Sequence, residues 1–191
     1  QGGDERDRAQ PRSLRQAVER QPESNVAVIS VPGEYAALAA YQALSEGLHV
    51  LLFSDNVPLE KEVALKDYAR DRGLLVMGPG AGTAMIAGVG LGFANVVKPG
   101  RVGVVAAAGT GAQEVMSLLD RWGVGVSQVL GLGGRDLADE VGGRMALSAI
   151  RALRDEVAGE IAGVRSGDVT VAAEIGRASC RDRVSTFVYI S

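Results

Sequence analysis

Three glycine-rich turns, each placed just after a short apolar run, constrain this chain more than any other feature. They read Gly78-Pro79-Gly80-Ala81-Gly82-Thr83, Gly109-Thr110-Gly111 and Gly131-Leu132-Gly133-Gly134-Arg135-Asp136. The runs before them have the length of buried strands, and the second and third turns lead into segments with helical character. Glycine lets backbone amides approach a ligand closely, and a helix N-terminus adds partial positive charge. Such a chain is expected to fold as a parallel α/β sheet that holds phosphates or carboxylates at the carboxyl ends of its strands.

The rest of the chain supports that reading. Val26–Val31 reads as a strand, Glu34–Glu46 as a helix closed by Gly47, and His49–Phe53 as a second strand. Pro58–Arg72 is a second helix with proline in its first turn, and Leu74–Met77 a third strand. This alternation is the signature of right-handed parallel units. Gly78–Gly100 is irregular, with seven glycines and two prolines, and Pro99-Gly100 reads as a boundary turn. Alternation then resumes: strand Arg101–Ala107, helix Ala112–Arg121, strand Val124–Leu130, and helix over Gly143–Glu156. Apolar residues make up 47% of the 191 but aromatics only 4%, so the core is built from Val, Leu, Ile and Ala, as buried parallel strands require.

Several classes are excluded. The net charge of -3, without a basic block, favours neither nucleic acid nor an anionic membrane surface. No apolar run is long enough to span a bilayer, Gln1–Arg12 is polar, and with a single cysteine the simplest expected compartment is the reducing cytoplasm. There is no G-x-G-x-x-G, no P-loop and no H-E-x-x-H. The single cysteine, Cys180, provides no internal disulfide, and no metal site is expected. The chain opens at Gln1 without Met and reads as a fragment of a longer protein. Residues 1–24 read as a linker with a short helix capped by Ser13 and ending at Arg20 before Pro22. Residues 174–191 read as a non-native tail, because Glu174–Val184 resembles the translation of a sequencing adapter.

Candidate site residues follow from the turns. Phe53, Ser54 and Asp55 end the second strand, where a hydroxyl and a carboxylate meet a cofactor's polar groups; the alternative is capping of the next helix. The amides of Thr110, Gly111 and Ala112 point toward an incoming anion; the alternative is Thr110 as an N-cap with Gln113 as its capping-box partner. Arg135, beside Gly133 and Gly134, has the fork that pairs with a carboxylate or phosphate, or else lies in solvent. Glu114 is a candidate acid without a second carboxylate fixed near it. His49 sits at the start of its strand, away from the ligand-binding ends, and reads as structural.

Six segments resemble the succinyl-CoA synthetase α-subunit superfamily, and most closely its FdrA branch of acyl-CoA synthetase-like proteins. They are Val31-Pro32-Gly33-Glu34-Tyr35-Ala36, Leu52-Phe53-Ser54-Asp55-Asn56-Val57, Met77-Gly78-Pro79, Phe93-Ala94-Asn95-Val96-Val97, Ala108 to Glu114, and Gly131 to Leu137. The resemblance spans about Ser24–Leu153. It implies a partial CoA-binding Rossmann-like domain over residues 25–98, then a partial flavodoxin-like ligase domain over 99–173. By resemblance, Phe53, Ser54, Asp55, Gly78 and Pro79 bind CoA. Gly109, Thr110, Gly111, Gln113, Gly133, Gly134 and Arg135 receive a phosphoryl group or substrate.

The same resemblance implies CoA as cofactor, with ATP or another nucleotide in the full-length protein. The substrate is then a small acid or acyl phosphate, and the partner a β-type ligase subunit or a second copy. Ala108 stands where the synthetases place Ser, and Gln113 where they place Tyr. The FdrA branch also implies two alternatives: a component of an oxamate carbamoyltransferase in purine or allantoin breakdown, and a non-catalytic CoA- or nucleotide-binding subunit.

Overall fold

The computed structural model describes residues 11, 13–157, 170–173 and 188–190. Most of the non-native tail expected at 174–191 lies outside the described residues.

Helix α1 (Leu14–Arg20) is capped by Ser13, whose hydroxyl accepts the Gln16 amide at 3.2 Å. Strands β1 (Val26–Ile29), β2 (His49–Leu52) and β3 (Val76–Met77) form a parallel sheet in that order. Helices α2 (Gly33–Ser45) and α3 (Leu59–Arg70) make the crossovers. Ala36, Ala37, Ala40 and Ala43 form the buried stripe of α2, so its backbone packs close to the sheet. Gly47, at φ 80, ends α2 in the left-handed conformation that glycine adopts at least cost.

The irregular stretch contains a hairpin. Strand β4 (Thr83–Ile86) pairs antiparallel with β5 (Val89–Gly92) through Ala87 and Gly88, both at positive φ. Two positive-φ residues between paired strands match the right-handed twist of a hairpin. The sequence hides this because Val-Gly-Leu-Gly shows no alternation of buried and exposed side chains, and β5 is largely solvent-facing.

The hairpin belongs to a second sheet, ordered β5-β4-β7-β6-β8-β9. Its other strands are β6 (Pro99–Ala106), β7 (Val126–Gly131), β8 (Thr170–Ala173) and β9 (Val188–Ile190). β6 is parallel to β7 and β8, while β4 is antiparallel to β7. The sheets therefore part at Gly78–Gly82 and not near Pro99, where the boundary was expected. Pro99-Gly100 opens β6, and Gly100 is glycine because Gly125 crosses directly against it.

Helix α4 (Gly109–Arg121) covers one face of the second sheet, its Met116 sharing a core with Met85, Val104 and Val129. Helix α5 (Arg144–Val157) lies on the other face, and its Met145 and Leu153 share a core with Val50, Leu52, Met77 and Leu130. Both sheets thus contribute to one apolar core, an α/β arrangement with helices over parallel strands. None of the described helices is long and apolar enough to cross a membrane.

Candidate functional site

The three glycine turns meet at the carboxyl ends of β2, β3, β6 and β7. A side chain at Gly133 would run into the Pro79 carbonyl, so the third turn packs directly on the first. Gly131 lies likewise against the Thr83 carbonyl. The second turn joins through Thr83: a Cβ at Gly109 would stand 3.2 Å from its Oγ1, and Gln113 Nε2 donates to that oxygen at 2.9 Å.

Helix α4 begins one turn earlier than its sequence suggests. Its N-cap is Ala108, and no side chain caps it. The capping box of Thr110 and Gln113 is therefore not formed; Gln113 is drawn to Thr83 on the neighbouring strand instead. Thr110 is exposed and Gly109 and Gly111 are partly so, and no side chain caps the helix's first amides. This is the arrangement that favours an anion.

On the other side of the mouth, Phe53 and Asp55 are exposed and Ser54 is buried. The Ser54 hydroxyl accepts the Val31 amide at 2.9 Å, and its carbonyl accepts the Gly80 amide at 3.0 Å. Ser54 thus ties the β1, β2 and β3 ends together. Asp55 does not cap α3; its Oδ1 accepts the adjacent Asn56 amide, and the N-cap of α3 is Pro58. Phe53 meets Phe93 edge-to-face at 5.5 Å, and Gly82 leaves the space that both rings occupy. Phe93 and Thr83 fall within segments singled out in the sequence but were not among its candidate site residues; Thr83 opens the hairpin and Phe93 follows its second strand.

Gly78, Pro79 and Gly133 are buried in loop-to-loop packing, while Gly80 and Gly134 are exposed. The Gly78–Pro79 bond is cis. Buried glycines here serve close backbone approach, so the amides that reach solvent belong to their neighbours.

Arg135 is partly solvent-exposed and its guanidinium is held by the protein's own groups. Its Nη2 donates to the Val57 carbonyl at 2.7 Å and lies 2.8 Å from Glu62 Oε2. Glu62, Lys66 and Asp136 behind it are fully buried. Lys66 Nζ reaches Glu62 Oε1 at 2.8 Å and Asp136 Oδ1 at 2.9 Å. Asp136 also accepts the Met145 and Ala146 amides, at 3.2 and 2.8 Å, and so caps α5. Two cations and two carboxylates balance, which is how buried charge is tolerated. Glu62 and Lys66 have the i, i+4 spacing of an ordinary solvated helix pair, so the sequence carries no signal of their burial.

His49 opens β2 and is half-buried, with Nδ1 accepting the Leu75 amide at 3.0 Å. Burial lowers its pKa below the ordinary 6.5. Among the described residues no group of His, Cys, Asp and Glu is placed to hold a metal ion.

No family model matches the chain. It is 53% identical over 140 residues to the uncharacterized protein YahF of Escherichia coli K12, covering 73% of this chain and 27% of that protein. It is 30% identical over 176 residues to the α subunit 2 of an ADP-forming succinate–CoA ligase of Archaeoglobus fulgidus, covering 86% of this chain and 58% of that subunit. Its homologues are succinate–CoA ligase α-subunit-like proteins. The chain spans from about a quarter to somewhat over half the length of these relatives. Among solved structures, the ATP citrate lyase of Methanothrix soehngenii, in complex with citrate and coenzyme A, superposes with a TM-score of 0.60 at 22% identity. It covers 73% of this chain and 25% of the lyase, a likeness of fold.

Proposed function

We propose that the chain is the CoA- and phosphoryl-handling part of an acid–CoA ligase of the succinyl-CoA ligase type, FdrA-like in its motifs. One observation carries this reading. The uncapped N-terminus of α4 stands beside the loop ending β2, both held on the Gly78–Thr83 segment. CoA lies along Phe53, Asp55 and Gly80, and the acyl phosphate sits at the amides of Gly109, Thr110 and Gly111. Main-chain donors fixed before the reaction stabilise the phosphoryl charge without reorganising. The relatives that are succinate–CoA ligase α subunits support the class, and a β-type subunit or a second copy completes the site. In the full-length protein ATP or another nucleotide supplies the phosphoryl group.

The test uses the full-length parent protein with its neighbouring gene products. Acid, CoA and ATP are supplied in one arm, and oxamate with carbamoyl phosphate in the other. Thioester formation supports the ligase. Carbamoyl transfer moves the same anion site to the oxamate carbamoyltransferase reading, since carbamoyl phosphate is also an acyl phosphate. Loss of both activities, together with no CoA binding, rejects the assignment.

A second reading has its own observation. Ser54, Gln113 and Arg135 are all committed to intramolecular partners, which leaves few side chains to assist chemistry. A subunit that binds CoA without turnover fits this, and CoA binding with no product in either arm selects it.

A further inference from the structure

A cavity of about 450 Å³ opens at the other end of the strands, away from the glycine turns. Its wall is apolar, built by Leu74, Leu75, Met77, Ile86, Leu130 and Leu153. The volume falls in the range of small-molecule pockets. Two polar groups set it apart from a packing defect.

The first is His49. A backbone N–H is always a donor, so the Leu75 amide fixes Nδ1 as an acceptor. The neutral ring therefore carries its proton on Nε2, and the imidazole lines the cavity. Burial lowers the pKa of His49, which keeps this tautomer in place at neutral pH. The second is Arg151, on the α5 side of the same cavity. The other polar groups at its wall are already engaged. Arg70 pairs with Asp67 at 2.7 Å and Asp71 at 3.1 Å. Gln128 accepts the Ala87 amide at 2.7 Å, and the Ser148 hydroxyl donates to the Arg144 carbonyl at 3.0 Å. Arg151 forms no such pair among the described residues.

We propose that this cavity is a second binding site, for a monocarboxylate with an apolar body such as a medium-chain acid. The chain of the ligand lies on the leucine wall, and its carboxylate accepts from Arg151 and from His49 Nε2–H. The site is separate from the proposed CoA site and does not depend on it.

Octanoate is the probe, titrated into the full chain by calorimetry or by protein NMR, with octan-1-ol as the neutral control. Saturable octanoate binding is expected, with octan-1-ol at least tenfold weaker. Arg151→Met should weaken octanoate at least tenfold and bring the two ligands together. Ala152→Phe, which fills the cavity from α5, should remove both. Thermal melts show whether each variant folds, and if Ala152→Phe does not, the octanol comparison and Arg151→Met still decide. No octanoate binding at millimolar concentration, equal binding of the alcohol, or unchanged affinity in Arg151→Met overturns the proposal.

Discussion

Lys66 Nζ lies 2.9 Å from Asp136 Oδ1, with both side chains fully buried and the two residues 70 positions apart in the chain. This contact joins α3 of the first sheet to the third glycine turn and, through Asp136, to the start of α5. The mouth of the candidate site is thus held by a charge pair that touches no ligand.

Lys66→Met should leave Glu62 and Asp136 buried without their cation. Breaking one partner of a buried pair costs about 3–5 kcal/mol. Arg135 is 44% exposed, so Arg135→Ala should cost less, about 1–3 kcal/mol for a charged hydrogen bond lost at the surface. Urea unfolding of the two variants measures the order, and equal effects would show that the buried lysine is not the keystone.

The glycines of the turns separate by the same reasoning. Gly78 has φ 122 with the Leu52 carbonyl in its way, and Gly133 has φ 80 with the Pro79 carbonyl in its way. Alanine at either position should cost at least about 1–3 kcal/mol from the backbone conformation alone. Gly134 has open space around it, so Gly134→Ala should stay within about 0.5 kcal/mol. Melting curves of the three variants are the measurement.

Ala108 offers a test in which stability and binding move in opposite directions. It is the N-cap of α4 in an extended conformation, and it has no capping side chain. Ala108→Asp should stabilise the protein by roughly 0.5–2 kcal/mol as a cap. The added carboxylate should also repel an anion at the same amides, weakening acetyl phosphate binding at least tenfold. A variant that melts higher yet binds acetyl phosphate as before would remove the α4 N-terminus from the site.

His49 is the single histidine, so it can be followed by pH. Its folded pKa is lowered by burial from 6.5, so the unfolded chain binds the proton first as pH falls. The stability that the neutral ring contributes is complete above the unfolded value. It is lost progressively as pH drops from there through the lower folded value. Wild type should therefore lose more stability than His49→Asn between about pH 7.5 and about pH 5.5. Denaturant midpoints at the two pH values decide it, and parallel losses would show that His49 is not the titrating group.

The order of strands and helices and the position of the three turns could be read from the amino-acid sequence alone. Apolar periodicity, Ser13, Gly47 and the prolines are local signals, and they act within a few residues. What local signals cannot express is which surfaces meet. Val89–Gly92 became a strand only because β4 offered it backbone partners, and β4 in turn bonds to β7, which carried the first part of the second sheet back past Pro99. Arg135, Ser54 and Gln113 each take a partner from another element, and no local pattern signals those partners. Nothing in the i, i+4 spacing of Glu62 and Lys66 signals that the third turn closes over them. Burial is a property of the assembled layers, and desolvation compels every polar group it encloses to find a partner wherever the chain happens to bring one.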